Sequence, residues 1–200
     1  MDLMYSKKYW QHYYEKYRVD NTPTPFALFC KGFMSRGNTL LDIGCGNGRD
    51  SLYFNSEGII VTALDIADKH KNEIENEGVK FHSVDLCNKR KLFGLKVVSF
   101  WDFVYCRFLL HAIPDDIEKY VLREAYDILL PYGILCIETR SDLGVISSSL
   151  PAHYRRLINL DKLEGFLKNM NFDILYKIES DNLAVYKDDN PVVIRIICQK

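Results

Sequence analysis

Several features that would place this chain in a specialised class are missing from its sequence. Positive and negative side chains almost cancel, because 26 Lys and Arg stand against 27 Asp and Glu, for a formal charge of −1. A polyanion such as DNA or tRNA usually requires a basic surface, so we expect no nucleic-acid partner. Since no apolar run approaches the ~20 residues that cross a bilayer, we also expect no membrane partner.

Closely spaced cysteine pairs are missing too. The six cysteines are scattered without a CxxC pair, and several lie in apolar stretches that we interpret as strands. In a reducing compartment such cysteines are most simply small buried hydrophobic residues, and a thiol or metal site is the alternative. The N-terminal stretch 1–8 lacks the apolar core of a signal peptide, which predicts a cytoplasmic protein.

The most informative stretch predicts a strand, a glycine loop and a helix in succession. Residues 39–42 are β-branched or aliphatic up to a final acid, and Gly44, Gly46 and Gly48 follow at alternate positions. Glycines at this spacing permit positive φ and let backbone N–H groups approach a ligand. The helical stretch 49–54 then presents the positive end of its dipole to the loop. A tight turn that serves packing alone is the alternative.

Acidic residues follow the next two predicted strands. Residues 59–65 form an apolar run that ends in Asp65, about 20 positions after the first glycine, where an acid suits a ribose diol. A third strand, residues 79–84, leads into Asp85. In doubly wound sheets this second acid lies beside the adenine edge of a bound nucleotide.

Together these stretches resemble the class I S-adenosylmethionine (SAM) dependent methyltransferases. The resemblance is carried by LDIGCGNGRD (41–50), ALDIA (63–67), VDL (84–86), WDFVYC (101–106) and, less sharply, LLPYGILCIET (129–139). Within that family the GCGNGRDSLYF form is most similar to small bacterial methyltransferases of the tellurite-resistance type or associated with surface-polysaccharide genes.

The resemblance implies an α/β fold with a Rossmann-like doubly wound sheet. Its seven strands would have the order 3-2-1-4-5-7-6, with the last strand antiparallel, which the closing strand pair 172–179 and 191–198 fits. It further implies a single methyltransferase domain over residues 1–200. That domain would comprise an N-terminal helical cap (1–36), a Rossmann-like core (39–200) and an insert at the acceptor side (141–159).

Local patterns predict the remaining elements. Residues 4–18 form an amphipathic helix with an aromatic stripe, and Thr24 and Pro25 are the N-cap and first residue of a helix from Phe26 to Met34. We expect residues 67–77 to form a polar surface helix with a solvated face, ended by Gly78. A helix from Asp115 to Leu130 is expected to stop at 131–133 before the fifth strand, 134–139.

SAM is the cofactor that the resemblance implies, with S-adenosylhomocysteine (SAH) as its product. Trp10 or Tyr14 would cover the sulfonium with an aromatic face, the alternative being that these rings only fasten the first helix to the core. The cofactor-binding residues implied are Trp10, Gly44, Cys45, Gly46, Asn47, Arg49, Asp50, Asp65, Ile66, Asp85, Leu86 and Cys106.

Acceptor residues are expected after the fourth and fifth strands. His111 is the candidate catalytic base, because histidine accepts a proton near neutrality, and a histidine packed in a helical turn is the alternative. Several cations there favour an anionic acceptor, with a solvated loop as the alternative. The substrate-binding residues predicted are Tyr14, Arg107, His111, Arg140, His153, Tyr154, Arg155 and Arg156. Because Cys106 stands where metal-dependent catechol-type relatives carry a carboxylate, we expect no metal.

These residues predict methyl transfer to a small, anionic acceptor at oxygen. A phosphate-, phosphoramidate- or carboxylate-bearing sugar precursor of surface polysaccharide fits that description. The alternatives are a non-catalytic SAM- or nucleotide-binding module, a thiol or metalloid (tellurite-type) methyltransferase, and a nicotinamide-linked enzyme, against which the GxGxG spacing speaks. The oligomeric state expected is monomer or homodimer.

Overall fold

The computed structural model describes residues 3–16, 22–88, 100–145, 154–186 and 189–200. The chain divides into two compact units, Met1–Ser99 and Phe100–Lys200. Among the described helices, none is long and apolar enough to cross a membrane.

In the part of the first unit that the structure describes, three parallel strands are combined with four helices. Its elements are α1 (Leu3–Lys16), α2 (Pro25–Lys31), β1 (Thr39–Ile43), α3 (Arg49–Ser56), β2 (Ile60–Asp65), α4 (Lys71–Asn76) and β3 (Lys80–Ser83). Strand β2 pairs in parallel with β1 on one side and β3 on the other. Apart from Ile60 at the start of β2, the apolar residues of β1 and β2 are buried, as expected for parallel strands that are covered on both faces.

The second unit contains the other four strands. Its elements are β4 (Trp101–Arg107), a 3-10 turn (Leu110–Ala112), α5 (Asp115–Ile128), β5 (Leu129–Arg140), α6 (Leu160–Asn169), β6 (Asp173–Ser180) and β7 (Val193–Gln199). Strands β4 and β5 are parallel, whereas β7 is antiparallel to both β5 and β6. Residues 193–198 of β7 are all buried.

The strand order is β3-β2-β1-β4-β5-β7-β6 in a seven-stranded sheet. Together with the antiparallel β7, this confirms the predicted fold class and strand order. The predicted domain layout, with a cap over residues 1–36 and an insert over 141–159, stays a prediction.

The start of α2 is confirmed, whereas its predicted end at Met34 is wrong. Thr24 is the N-cap, and its hydroxyl oxygen accepts a hydrogen bond from the Ala27 N–H at 3.1 Å. The helix ends at Lys31, and Gly32 donates backwards to the Phe29 carbonyl in a tightened last turn. The apolar pattern that continues to Met34 therefore belongs to a turn.

The prediction that 131–133 precedes the fifth strand is also wrong, because β5 already begins at Leu129. In its pairing with β4, Trp101 lies opposite Leu129 and Phe103 lies opposite Ile134, so the residues between them bulge out of the ladder. Tyr132 has φ 65° and is exposed. A bulge accommodates the proline and glycine without ending the strand.

The expected helix 67–77 is shorter than predicted. Only Lys71–Asn76 is helical, and Gly78 follows with φ 89°, as expected of a glycine beyond a helix end. Residues 67–70 form a loop instead. The loop residue Asp68 accepts hydrogen bonds from α1, so the solvated face that we expected is wrong for this part of the segment.

Candidate functional site

The glycine loop of the first unit takes the backbone conformation that its sequence predicts. Gly44, Gly46 and Gly48 have φ of 81°, 61° and 81°. The N–H groups of Gly44 and Cys45 both donate to the Leu64 carbonyl, at 2.8 and 3.0 Å. The loop is therefore anchored at the end of β2, and its last glycine is the N-cap of α3.

Asp65 is the carboxylate around which this loop is built. Its Oδ2 accepts a hydrogen bond from the Gly46 N–H and its Oδ1 accepts one from the Ala67 N–H, both at 2.8 Å. Burial raises the pKa of Asp65 to about 6, although these N–H groups oppose the shift. Each carboxylate oxygen has a further lone pair, so the fixed group can also accept hydroxyl donors.

Two side chains pack closely on the glycine loop. A Cβ on Gly46 would lie 2.5 Å from the Tyr14 hydroxyl oxygen, and one on Gly48 would lie 2.6 Å from Ile74 Cδ1. Glycine is therefore required at both positions by the contacts as well as by φ. The first contact brings α1 onto the loop, and the second brings α4 onto it.

The aromatic residues of α1 stack on one another. Trp10 lies parallel to Tyr14 at a centroid distance of 5.8 Å, and Tyr13 meets Trp10 edge-on at 5.5 Å. Tyr14 thus connects this ring cluster with Gly46. That Trp10 or Tyr14 covers a sulfonium stays a prediction.

Three other predicted cofactor residues are held by local hydrogen bonds. Asn47 Oδ1 accepts from the Arg49 N–H at 3.3 Å, and Asp85 Oδ1 accepts from the Cys87 N–H at 3.0 Å.

Burial, with the carboxylates of Asp65 and Asp42, raises the pKa of the Cys45 thiol well above its usual value. Cys45 therefore stays protonated at neutral pH. Ile66 and Leu86 are half-buried.

Asp50, to which the resemblance assigns a part in cofactor binding, bonds to a residue at the start of α2. It is buried in the first turn of α3, and its two carboxylate oxygens accept from the Thr24 N–H at 2.9 Å and the Thr24 hydroxyl at 2.8 Å. The residue ties α3 to the start of α2. Its role in cofactor binding stays a prediction.

In the second unit, Phe108 is at the centre of the predicted acceptor residues. It follows β4 directly and has φ 54°, which is uncommon for a residue with a side chain. Arg107 lies 4.4 Å and Arg140 5.6 Å from its ring centroid, while the His111 ring approaches edge-on at 5.3 Å. The sequence analysis missed Phe108, and no local pattern in the sequence marks it.

His111 lies in the 3-10 turn with only 4% of its surface exposed. Its Nδ1 is 3.2 Å from the Thr139 hydroxyl oxygen, and the Arg140 N–H donates to Nδ1 at 3.4 Å. The His111 carbonyl accepts from the Arg156 N–H at 2.9 Å. His111 and Arg156 are thus brought together with the end of β5, as the sequence analysis expected.

Carboxylates of the protein pair with two of the predicted arginines and with Arg195. The Nε of Arg107 and the Nε of Arg195 donate to the two oxygens of the fully buried Glu138, at 2.7 and 2.6 Å. Arg140 forms an ion pair with Asp189. The acid inside the apolar run ILCIET was a signal for a buried ion pair that the sequence analysis overlooked.

Arg156 holds its segment against the 3-10 turn and α5. Its Nε donates to the Ile113 carbonyl at 2.8 Å, and one terminal nitrogen donates to the Leu110 carbonyl at 3.0 Å. The same guanidinium forms an ion pair with Glu118. These contacts give Arg156 a packing role, and its binding of an acceptor stays a prediction.

The other predicted residues of this unit are less informative. Cys106 is buried within β4, Arg155 is half-buried and Tyr154 is exposed, while His153 lies outside the described residues. In the described parts of the chain, no group of three or more His, Cys, Asp or Glu side chains is placed to hold a metal ion.

Residues 9–177 match the family model of the methyltransferase domain. This chain is a member of that methyltransferase family. The match includes the second half of α1, the glycine loop, Asp65, the 3-10 turn and most of β6. It therefore covers every described residue to which we assigned a role at the sequence level.

Known proteins similar to this methyltransferase include one curated relative and two solved structures. Ribosomal protein L11 methyltransferase of Thermotoga neapolitana is 28% identical over 121 residues, which are 58% of this chain and 44% of that protein. This methyltransferase thus spans less than half the length of that relative. A SAM-dependent methyltransferase of Methanosarcina mazei superposes with a TM-score of 0.70 at 17% identity, over 86% of this chain and 96% of the other.

The second structure is the 1,6-didemethyltoxoflavin-N1-methyltransferase of Burkholderia thailandensis, with bound 1,6-didemethyltoxoflavin and SAH. It has a TM-score of 0.68 and 20% identity over 88% of this chain and 76% of the other. At such identities the likeness establishes the fold of this methyltransferase. The narrower resemblance to tellurite-type or polysaccharide-associated relatives stays a prediction.

Proposed function

We propose that this chain transfers a methyl group from SAM to a small-molecule acceptor. The observation that carries the proposal is the fixed position of Asp65, whose carboxylate is bonded to the Gly46 N–H of the glycine loop at 2.8 Å. A carboxylate at the end of the second strand, beside a glycine loop, suits a ribose diol. Membership of the methyltransferase family supports SAM as the nucleoside concerned.

Each part of the first unit would have its own task in holding SAM. Asp65 accepts hydrogen bonds from the ribose hydroxyls, and the glycine loop offers backbone N–H groups at the start of α3. Asp85 follows β3, where the adenine side is expected. Tyr14 lies against Gly46 and stacks on Trp10, and the face of such a ring attracts a cation like a sulfonium.

When bound, SAM supplies a methyl group that its positive sulfur has already activated. The chain then has to orient the acceptor atom and exclude water. An alcohol acceptor must also lose a proton, and we assign its removal to Nε2 of His111. For this, Nδ1 must carry the ring proton and donate it to the Thr139 hydroxyl oxygen at 3.2 Å, instead of accepting the Arg140 N–H at 3.4 Å.

The acceptor that we propose is anionic and is methylated at oxygen. The support comes from Arg107, Glu138 and Arg195, because two guanidinium groups share one fully buried carboxylate. The three side chains together carry one net positive charge. Guanidinium groups are suited to bind phosphate and carboxylate groups.

Calorimetry with the purified protein tests cofactor binding. We expect SAH to bind with a micromolar dissociation constant and NADH not to bind, since a GxGxG loop departs from the dinucleotide pattern. Binding of NADH in place of SAH would contradict the proposal. SAH binding without methyl release to a panel of acceptors would instead favour a binding module.

Steady-state kinetics separates the roles in the second unit. His111→Asn should lower kcat by about 10²–10⁴-fold while SAH affinity is kept, because a base acts in the transition state. Thr139→Val should lower kcat in the same direction, since it removes the partner of Nδ1. Full turnover in the His111 variant would remove the assignment.

The same assay tests the anionic acceptor. Arg107→Gln should raise the acceptor KM by about tenfold, the loss of one charged hydrogen bond, and leave the KM for SAM unchanged. Arg123→Gln, which removes an arginine of α5 that lies over Phe166 of α6, is the matched control and should leave both constants unchanged. Equal acceptor kinetics in the two variants would argue for a neutral acceptor.

A further inference from the structure

The loop that leaves β2 after Asp65 contacts both this carboxylate and helix α1. The Ala67 N–H donates to Asp65 Oδ1 at 2.8 Å, and the Ser83 hydroxyl donates to the Ile66 carbonyl at 3.3 Å, which fastens the loop to the end of β3. Asp68 is the next residue along the chain. The contact with α1 thus begins within the loop that holds the candidate ribose carboxylate.

Asp68 uses both of its carboxylate oxygens to hold α1. Its Oδ2 accepts a hydrogen bond from Lys7 Nζ at 3.0 Å, and its Oδ1 accepts one from Gln11 Nε2. Positions 7 and 11 stand one helical turn apart on the same face of α1. The hydrogen bond from Lys7 keeps the pKa of Asp68 below its usual value, so this carboxylate is charged at neutral pH. One side chain therefore binds two successive turns of the helix.

The same face of α1 carries Tyr14. Position 14 follows positions 7 and 11 at the spacing i, i+4, i+7, which places the three side chains along one stripe of a helix. A Cβ on Gly46 would lie 2.5 Å from the Tyr14 hydroxyl oxygen, so this oxygen fills the space beside the glycine. The Gly46 N–H in turn donates to Asp65. The stripe that Asp68 holds therefore reaches the glycine loop.

Ion pairs at a protein surface usually contribute little, and the alternative is that these contacts are of that kind. The Lys7 and Asp68 side chains are 44% and 39% exposed. However, Asp68 binds two donors at once, and the neighbouring Lys69 forms an ion pair with Glu15 at 3.1 Å. The contacts thus extend over residues 7–15 of the helix. Their sum orients α1, although each of them is weak.

We propose that Asp68 is a positioning residue of the cofactor site, which holds α1 so that Tyr14 stays against Gly46. This role rests on the proposed SAM binding and adds a residue that acts through Tyr14. In the proposed arrangement Asp65 binds the ribose and Asp85 lies on the adenine side, so Tyr14 contacts the sulfur-bearing part of the cofactor. Asp68 should therefore control the affinity for SAH much more than the affinity for adenosine.

Calorimetry with SAH and with adenosine compares the two parts of the ligand. Asp68→Ala removes both acceptor oxygens and should weaken SAH binding by about three- to tenfold, as for the loss of two weak polar contacts. Its affinity for adenosine should equal that of the natural protein. Equal weakening of both ligands would overturn the proposal, because it would indicate damage to the loop around Asp65.

Charge reversal separates a specific ion pair from a general structural effect. Lys7→Asp and Asp68→Lys should each weaken SAH binding, since each places two like charges together. The double variant restores an ion pair of opposite polarity, to which Gln11 can offer its carbonyl oxygen. We expect it to regain most of the SAH affinity that either single variant loses. A double variant in which the two losses simply add would overturn the proposal.

Glu75→Gln is the matched control. Glu75 lies 3.8 Å from Lys71 within α4, and its side chain is 41% exposed, much like that of Asp68. The substitution removes one surface carboxylate from the same unit, so SAH binding should equal that of the natural protein. A loss as large as that in Asp68→Ala would attribute the effect to net charge and would overturn the proposal.

Limited chymotrypsin digestion of the cofactor-free protein reports on α1 itself, because Asp68→Ala and Glu75→Gln keep the aromatic cleavage sites at 9–14. Cleavage there should be several-fold faster in Asp68→Ala than in the natural protein or in Glu75→Gln. Equal protection in all three proteins would overturn the proposal. If the natural protein does not bind SAH, the proposed function and this role both fail, whereas SAH binding that is equal in all variants removes this role alone.

Discussion

Asp65 combines burial with hydrogen bonds that oppose its effect. Desolvation disfavours the charged carboxylate, while N–H groups from Ala67, Gly46 and Ile66 favour it. Desolvation is the larger effect, so the pKa rises from 3.8 to about 6. If Asp65 binds the cofactor as we propose, a carboxylate that titrates this close to neutrality makes both stability and cofactor binding depend on pH.

The titration of Asp65 should change SAH affinity and protein stability in opposite directions as the pH falls. The ionised carboxylate is the better acceptor for ribose hydroxyls, so SAH affinity should fall as pH drops through 6. The folded pKa lies above the unfolded one, so the contribution to stability is full below about pH 4 and is lost as pH rises through 6. The protonation of Asp65 should therefore make the cofactor-free protein more stable as the pH is lowered from 7 to 5.

Asp65→Asn tests both signs at once. It should weaken SAH binding by about 10–100-fold at pH 7.5, as expected for a charged hydrogen bond. It should also flatten the change of SAH affinity and of unfolding free energy between pH 7 and pH 5. Calorimetry and urea denaturation measure the two quantities. An unchanged pH dependence in the variant would assign the titration to another group.

At the scale of elements, α2 and α3 are joined through a single threonine. Thr24 caps α2 through its hydroxyl oxygen and donates both its N–H and its hydroxyl proton to Asp50 in α3. Since Gly48, the last glycine of the loop, is the N-cap of α3, this connection also helps to hold the end of the glycine loop. Both residues are buried.

Thr24→Ala should destabilise the protein by about 1–2 kcal/mol, because it removes a helix cap and one hydrogen bond to a carboxylate. Thr24→Ser keeps the hydroxyl and should cost much less. The unfolding free energy in urea is the measurement. Equal losses in the two variants would attribute the effect to the methyl group rather than to the cap.

At the scale of the whole molecule, the positive and negative side chains of the sequence almost cancel. In the second unit, one row of side chains on neighbouring strands consists of two arginines and one glutamate. The pairing register places Arg107 of β4 opposite Glu138 of β5, and Glu138 opposite Arg195 of β7. Three neighbouring strands therefore depend on one fully buried carboxylate. Arg195 extends the row by donating to the Leu183 carbonyl at 2.7 Å.

Glu138→Gln should be among the most destabilising single substitutions in this unit. It leaves two guanidinium groups without their shared carboxylate, and breaking a buried ion pair from one side costs about 3–5 kcal/mol. Glu75→Gln removes a partly exposed partner of Lys71 and should change stability by less than about 0.5 kcal/mol. Denaturation midpoints compare the two, and similar midpoints would contradict the inference.

Sequence patterns identified the parts of the fold whose physical signals are local. Glycines at alternate positions predicted positive φ at 44, 46 and 48, and the acid after the second apolar run predicted a carboxylate beside the loop. The strand order came from resemblance to a family and is confirmed. These inferences needed only residue type, spacing and the family pattern.

Errors occurred where the outcome depended on a neighbouring strand or helix. Pro131 and Gly133 predicted a break before the fifth strand, but β5 pairs with β4 on both sides of them and they form a bulge. The charged residues 68–70 were predicted to lie on a solvated face, but side chains among them form hydrogen bonds with α1. In both cases the deciding contact comes from a distant part of the chain, so a local pattern cannot register it.

The sequence by itself determined which residue types can bind a ribose, take up a proton or carry positive charge. Tertiary structure decided which partner each charged or polar group binds. Asp50 accepts a hydrogen bond from Thr24, Glu138 is shared between two arginines, and His70 contacts both Tyr14 and Glu73. A buried charged or polar group is stable only with a partner. Which partner it finds is set by the packing of elements far apart in sequence, because only the folded chain brings the two together.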